Sequence, residues 1–367
     1  MLMATAGGGH KAAAASISEA LKDAHGDNVI IETVDVLKEY APQPFDKGPE
    51  AYQLMIKAPV AWRGFYELGD GVRRSKVINM SLSLFARRSM ERLLNAHPAD
   101  VIVSTYHFAN SSVLEALAHL KNDTPFITVV TDLVTAPPIW FDPRTTLCLV
   151  PTSAAAELAL RSSIDKDKIK IIGMPVSKRF GPSATAKSKL KTALGWNPTL
   201  PTIIAMAGGE GIGSLDQIAE NLSTLNVTVV VITGKNTSLF ERLNSSEAPY
   251  NLNLKIYGFV SNIDEFMKAA DLIITKAGPG TIVEALNSHL PLMIYSKLSG
   301  QEDGNVSYVT DNGAGVWQPK ISEMANTVQD ILANPSTLEN MAKATTKIAQ
   351  PGASAQIAKV ISTYLKK

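Results

Sequence analysis

The sequence predicts an α/β protein made of two Rossmann-like, doubly wound domains. Three observations carry this reading. Short apolar runs alternate with longer helical stretches along the chain. Each half opens on a strand that runs into glycines, LMATAGGGH (Leu2–His10) and IIAMAGGEGIG (Ile203–Gly213). A connector with two glycines and two prolines, GMPVSKRFGP (Gly173–Pro182), lies between them. Alternating strand and helix selects parallel sheets covered by helices on both faces. Right-handed crossovers bring the loops after the strands to one edge, where ligands bind. A length of 367 residues suits two or three domains.

Each element follows from local pattern. Met1–Thr5, Val101–Ser104, Phe126–Thr131, Leu147–Pro151 and Lys170–Ile172 read as strands of the first domain. Thr202–Met206, Val227–Thr233, Leu254–Tyr257 and Leu272–Thr275 read as strands of the second. Helical patterns intervene, among them Ser111–Lys121, Ser153–Ser162, Ser214–Leu225 and Thr281–Asn287. The expected organisation is a first domain over 1–178 and a second over 179–350. A last helix in 351–367 is free to pack back on the first.

Composition narrows the function classes. Hydrophobic residues make up 45% and charged residues 19%, the balance of a folded globular chain. A net charge of +1 gives no nucleic-acid footprint. The single cysteine, Cys148, excludes a disulfide within the chain and suits a reducing, cytoplasmic setting. No apolar run is long enough to span a bilayer. The six histidines show no metal-ligand spacing, and Asp165-Lys166-Asp167 reads as a charged surface loop, so no metal site is expected.

One stretch breaks the alternation. About 51–94 carries Tyr52, Trp62, Phe65, Tyr66 and Phe85, and Lys57–Arg92 holds eight basic residues against three acidic ones. Cations interleaved with aromatics suit an anionic membrane surface. A helical excursion with solvated charges fits the same residues.

Three glycine-rich segments can carry chemistry. In DLIITKAGPGTIVEAL (Asp271–Leu286), a strand enters the turn Lys276–Gly280 and a helix starts at Thr281. Glycines let backbone N–H groups approach an anion, and a helix N-terminus favours a phosphate. Glu284, one turn further in, can accept hydrogen bonds from two ribose hydroxyls. Thr281-x-x-Glu284 is also a capping box, in which Glu284 bonds back to the helix start. AGGEGIGS (Ala207–Ser214) lies between strand and helix but lacks the dinucleotide fingerprint, which disfavours an ordinary dehydrogenase. In GGGHKAAAAS (Gly7–Ser16), His10 opens a helix, whose dipole would keep the imidazole neutral and fit to act as a base. Asp132, at the end of a strand, either orients a base or caps the next segment.

Taken in order, GGGHKAAAA, VVTDL, PIWFDP, IIGMPV, AGGEGIGS, ITKAGPGTIVEA and SGQEDGNVSYVTDNGAG resemble the monogalactosyldiacylglycerol synthases. That glycosyltransferase family also contains bacterial diacylglycerol glucosyltransferases and the peptidoglycan lipid II synthase. The resemblance implies a GT-B fold: two Rossmann-like domains with a cleft between them, acceptor site in the first and donor site in the second. It implies an inverting transfer of a hexose from a UDP-hexose, UDP-galactose before UDP-glucose, to the 3-hydroxyl of diacylglycerol, with no bound metal or other cofactor. His10 falls on the proposed base. The implied donor-binding residues are Gly208, Gly209, Glu210, Gly211 and Ile212, then Thr233, Gly234 and Lys235, then Gly258, Phe259 and Val260. Lys276, Ala277, Gly278, Pro279, Gly280 and Thr281 follow, with Glu284 on the ribose and Gln301, Glu302 and Asn305 near the sugar. The basic excursion is implied to meet anionic lipid, which would place the protein peripherally on the inner face of the cell membrane. The acidic residue that the family carries before its glycines is replaced by Thr5-Ala6, leaving Asp132 as the candidate to orient His10. A lipid II-type N-acetylglucosaminyltransferase and a UDP-sugar epimerase are the rival readings.

Overall fold

The computed structural model describes residues 1–5, 8–43, 72–209, 211, 213–245 and 253–366. The chain divides into two compact units. The first comprises Met1–Lys178, Leu298–Gly304 and Gly352–Lys367; the second comprises Arg179–Lys297 and Asn305–Pro351.

The first unit is built on a parallel sheet of β1 (Leu2–Met3), β2 (Val34–Asp35), β3 (Ile102–Ser104), β4 (Phe126–Val129), β5 (Leu147–Val150) and β6 (Ile169–Ile171), in the order β2-β1-β3-β4-β5-β6. The FITV and LCLV runs of β4 and β5 are buried throughout, because helices cover both faces and no polar alternation is needed. Helices α1 (Gly8–His25), α2 (Val36–Tyr40), α3 (Val72–Ala96), α4 (His107–Leu120) and α5 (Ser153–Arg161) follow in chain order. Lys121, at φ 54°, ends α4 in the left-handed conformation and returns its N–H to the Ala118 and Leu117 carbonyls. Thr152 caps α5 by accepting from the Ala155 N–H.

The second unit repeats the scheme with β7 (Thr202–Met206), β8 (Thr228–Ile232), β9 (Leu254–Tyr257), β10 (Leu272–Lys276), β11 (Leu292–Ser296) and β12 (Gly315–Trp317), in the order β12-β11-β10-β7-β8-β9. Its helices are α6 (Lys187–Ala193), α7 (Leu215–Leu222), α8 (Thr237–Leu243), α9 (Ile263–Ala269), α10 (Pro279–Asn287), α11 (Asp303–Asp311, from Asn305 on), α12 (Met324–Ala333) and α13 (Pro335–Ile348). Asp271 ties the strand starts together: its carboxylate accepts from the Thr202 N–H (2.9 Å) and from Lys191 (2.7 Å) and Lys187 (3.1 Å).

The last helix, α14 (Ala353–Ser362), belongs to the first unit, where Ile357 and Ile361 join Ile17, Leu21, Ile127 and Leu149 in one apolar cluster. Its Ser354 hydroxyl accepts from the Val176 N–H and donates to the Val176 carbonyl.

Three strands escape the sequence reading. β2 has only two residues and β12 three, too few to show a period. β11 is a continuous buried run that periodicity alone does not separate from helix. Two helices begin earlier than expected, α4 at His107 instead of Ser111 and α10 at Pro279 instead of Thr281. The second shift removes the capping box. Gly278 is the N-cap of α10, so Thr281 lies inside the helix and Glu284 is not at the third position after a Thr cap. No helix among the described residues is long and apolar enough to cross a membrane.

Candidate active site

Each sheet has one switch point, where the first strand of the unit has neighbours reached in opposite directions. In the first unit it lies between β1 and β3; in the second it lies between β7 and β10. Loops leaving the C-terminal ends of such strands form the usual ligand crevice. The sequence motifs cluster at both points.

In the first unit, His10 sits in the opening turn of α1 and is half-buried. Its Nδ1 lies 3.0 Å from the Thr131 hydroxyl, and its carbonyl accepts from the Thr105 hydroxyl at 3.0 Å. Thr105 also donates its N–H to the Leu2 carbonyl, so β1, β3 and the start of α1 are joined at one residue. Aromatic rings wall the imidazole. Tyr106 stands edge-on at 5.3 Å between centroids, His107 at 5.7 Å and Trp140 at 6.0 Å.

This enclosure sets the electrostatics. Burial lowers the pKa of His10 below the ordinary histidine value, against the pull of the Asp132 charge and of a hydrogen bond to the Thr105 backbone. The expected helix dipole is not the governing cause. Burial likewise lowers His107 far below the ordinary value, and His10 adds repulsion. At neutral pH both rings are uncharged. In the tautomer whose Nδ1–H donates to Thr131, the Nε2 of His10 carries the lone pair that a base needs.

Asp132 does not hydrogen-bond to His10. Its Oδ2 accepts from the Trp140 indole N–H at 2.6 Å and its Oδ1 from the Gln301 amide at 3.1 Å. Burial raises its pKa, opposed by the Trp140 and Gln301 bonds. The orienting contact expected of Asp132 is made by Thr131, while Asp132 acts on the imidazole through its charge. Where the expected acidic residue before the glycines is missing, Thr5 donates both its N–H and its hydroxyl to Asp35.

In the second unit, two glycine turns lock together. Gly211 has φ +63°, and a Cβ there would come within 1.8 Å of the Thr233 carbonyl oxygen. Gly234 has φ +59°, and a Cβ there would come within 2.3 Å of the Gly209 carbonyl oxygen. The Lys235 N–H donates to Gly209 (3.0 Å) and the Asn236 amide to Gly211 (3.1 Å). Thr233 is fully buried, and both its N–H and its hydroxyl reach the Tyr257 carbonyl, next to Gly258. Phe259 is 67% exposed and Val260 half-buried. Glu210 and Ile212 lie outside the described residues.

At β10, Lys276 ends the strand, the Ala277 N–H donates to the Ser296 carbonyl, and Gly278 caps α10. Pro279 at the first helical position has no N–H, so of the expected Gly278–Thr281 donors the helical ones are those of Gly280 and Thr281. Asn305 is buried. Its amide donates to the Ala277 carbonyl at 2.9 Å, while its Oδ1 has no partner among the described residues. Burial pushes the Glu284 carboxyl up to about 7, against the Arg179 guanidinium. Arg179 itself donates to the Ser261 carbonyl and lies 3.7 Å from Asp264.

Gln301 and Glu302 group with the first unit, not the second. Gln301 holds Asp132, and Glu302 is buried with its carboxylate accepting from the Leu298 N–H at 2.7 Å. Asp165 and Asp167 stand on an exposed turn, with Asp165 beside Lys168. Of the 51–94 excursion, 51–71 lies outside the described residues. Farther along α3, Leu84 and Phe85 are 55% and 56% exposed and Arg88 and Arg92 face solvent.

Thr105, Thr131, Tyr106, His107, Trp140 and Arg179 were not assigned as site residues from sequence. His107 lies 97 positions from His10, and only the order of the strands brings the two imidazoles together.

Comparison with known proteins gives the family and the fold. Residues 10–176 match the monogalactosyldiacylglycerol (MGDG) synthase family, and residues 213–359 match the glycosyltransferase family 28 C-terminal domain. The chloroplastic monogalactosyldiacylglycerol synthase of Spinacia oleracea is 34% identical over 366 residues, covering 96% of this chain and 70% of that protein. Among solved structures, Acinetobacter baumannii MurG superposes with a TM-score of 0.62 at 17% identity, over 99% of this chain and 98% of that one. Anabaena HepE in complex with UDP-glucose does so with a TM-score of 0.57 at 15% identity, over 99% and 98%. The fold is GT-B, and the chain is a glycosyltransferase that belongs to the monogalactosyldiacylglycerol synthase family.

Proposed function

We propose that the chain transfers galactose from UDP-galactose to the 3-hydroxyl of diacylglycerol with inversion at the anomeric carbon, making monogalactosyldiacylglycerol. The observation that carries this reading is the near full-length similarity to the spinach synthase. The neutral imidazole of His10 suits the chemistry. In the proposed step the acceptor oxygen bonds to the anomeric carbon, the bond from that carbon to the UDP oxygen breaks, and the hydroxyl proton passes to the Nε2 of His10. General-base help of this kind is typically worth about 10²–10⁴-fold. The Asp132 carboxylate stabilises the imidazolium that results.

The leaving diphosphate gathers charge as the bond breaks. N–H groups at Gly280 and Thr281, and at Gly208, Gly209 and Gly234 on the glycine turns, are held by the fold before reaction, so they stabilise that charge without reorganising. Glu284 accepts from the ribose hydroxyls, and Phe259 is available to cover the base. No metal in an Asp-x-Asp site is required. Diacylglycerol resides in a bilayer, and the exposed Leu84 and Phe85 beside Arg88 and Arg92 suit peripheral contact with anionic lipid on the inner face of the cell membrane.

The test is purified protein with diacylglycerol vesicles and either UDP-galactose or UDP-glucose. The expected outcome is UDP release with a single β-galactosyl lipid as product. Preference for UDP-glucose would reassign the donor, and turnover of UDP-N-acetylglucosamine without lipid would replace the transferase reading by an epimerase.

A further inference from the structure

His107 takes no part in the step proposed above, although its ring centroid lies 5.7 Å from that of His10 within the same unit. It is the first residue of α4, and the rings of Phe108 at 4.4 Å, Trp140 at 5.0 Å and Tyr106 at 5.3 Å pack against it. Its Nδ1 is sealed from solvent with no hydrogen-bond partner among the described residues. The residue as a whole is half-buried and its Nε2 is not sealed, so Nε2 is the nitrogen that a ligand can reach.

The sealed nitrogen decides where the proton sits. A neutral imidazole carries one N–H, and an orphaned buried N–H is rarer in folded proteins than an acceptor short of a partner. The proton therefore belongs on Nε2, while Nδ1 keeps its lone pair. Burial and the neighbouring His10 hold the pKa of His107 far below the ordinary value, so the ring takes up no second proton at neutral pH. His107 is thus a fixed, neutral donor. His10 is its complement: its Nδ1 is engaged with Thr131, and its Nε2 offers a lone pair.

An alcohol answers to both. A hydroxyl has one proton to give and two lone pairs on its oxygen. Hydrogen bonds of about 2.9 Å that meet at a tetrahedral oxygen set their two nitrogens about 4.7 Å apart. Rings with centroids 5.7 Å apart can supply that span. With the proton given to His10 and one lone pair taken by His107, a single lone pair is left to attack.

We propose that His107 is an acceptor-binding residue whose Nε2–H hydrogen-bonds to the hydroxyl that receives the sugar and fixes the lone pair aimed at the anomeric carbon. This rests on the transferase reading above. The reacting proton still passes to His10, and His107 keeps its own throughout. An ether or carbonyl oxygen in the same place could accept from His107 but has no proton for His10, so the pair selects alcohols.

The experiment combines nitrogen-15 spectra of the free, histidine-labelled wild type with transfer kinetics of His107→Phe and His107→Gln. The spectra should show His107 protonated on Nε2 alone at neutral pH; they need no substitution, so they decide even where a variant fails to fold. Phe keeps a ring and removes the donor, whereas Gln returns an amide N–H. A neutral hydrogen bond is worth up to about tenfold. His107→Phe should therefore lower kcat/KM for diacylglycerol about tenfold with KM for UDP-galactose unchanged, and His107→Gln should recover most of the loss. The acid limb of the rate profile, which belongs to His10, should persist in both variants. A proton on Nδ1, unchanged turnover in His107→Phe, or equal loss in two folded variants overturns the inference. A wild type that glycosylates no diacylglycerol from any UDP-hexose would instead overturn the transferase reading, and this inference with it.

Discussion

The Nδ1 of His10 lies 3.0 Å from the hydroxyl of Thr131, while the neighbouring Asp132 turns its carboxylate to Trp140 and Gln301. Orientation and charge therefore come from different residues. Thr131→Val is expected to lower kcat about tenfold with little change in KM, and His10→Ala to lower it by roughly 10² or more. Asp132→Asn removes the attraction that raises the His10 pKa and moves the acid limb of the rate profile further down. Since His10 starts below its ordinary value, that limb lies below about pH 6.5 in the wild type. The stability sign follows. A histidine that resists protonation when folded leaves stability unchanged at neutral pH and erodes it as pH falls below about 6.5. Rate profiles of the three variants, with thermal melts across the same range, check both statements.

If Glu284 holds the ribose as proposed, donor affinity should depend on pH. Burial pushes its carboxyl up to about 7, against the Arg179 guanidinium. In the proposed complex only the ionised carboxylate could accept from both ribose hydroxyls, so uridine binding should weaken as pH falls through about 7 and level off above it. Uridine has no phosphate, so its titration reports the protein group. Glu284→Gln should bind more weakly at pH 8 and lose the pH dependence. A raised carboxyl pKa also means that ionising Glu284 destabilises the free protein, so its contribution to stability is greatest below the unfolded carboxyl range and declines as pH rises toward 7.

Glycines with similar backbone angles should differ in tolerance. Gly208 has φ +72° and nothing within 4 Å of an added Cβ, whereas Gly211, at φ +63°, would drive a Cβ into the Thr233 carbonyl. Gly208→Ala should cost about 1–2 kcal/mol from the left-handed conformation alone. Gly211→Ala adds a backbone clash and should cost about 3 kcal/mol or more. Urea unfolding of the two variants measures the difference.

Asp271 should govern the acid stability of the second unit. Burial opposes its ionisation, but Lys187 and Lys191 hold its pKa below the usual carboxylate value. A depressed carboxyl pKa contributes stability that is fully present above the unfolded value, about 3.9, and is lost as pH falls through the folded one. Lys191 is only 5% exposed, so Lys191→Met leaves a carboxylate without its closest buried partner and should cost about 3 kcal/mol at neutral pH. The gap between variant and wild type should narrow in acid.

The sequence made the architecture legible because buried parallel strands are short apolar runs and the turns after them are glycines. His10, Gly208–Gly211 and Gly278–Thr281 were visible for that reason: each follows a strand and opens a helix. The pocket around His10 was not. Thr105 and His107 follow β3 and Thr131 and Trp140 follow β4, while His10 follows β1, and their meeting depends on strand order, which no local pattern encodes. PIWFDP stood out as a motif, yet nothing in it says that the Trp140 indole binds Asp132. The capping box failed because Pro279 starts its helix two residues early, a choice between two acceptable starts that spacing does not decide.

The return of α14 to the first unit has a consequence for how the chain is made. Residues Ile357 and Ile361 close a cluster begun by Ile17 and Leu21, so the first unit lacks part of its core until residue 361 has been synthesised. The second unit is complete by Pro351. The unit that starts later in the sequence is therefore the one finished first. A nascent chain emerging from the ribosome carries an open apolar seam along α1 until Ile357 and Ile361 arrive to seal it, and a fragment ending at Lys178 would keep that seam for good.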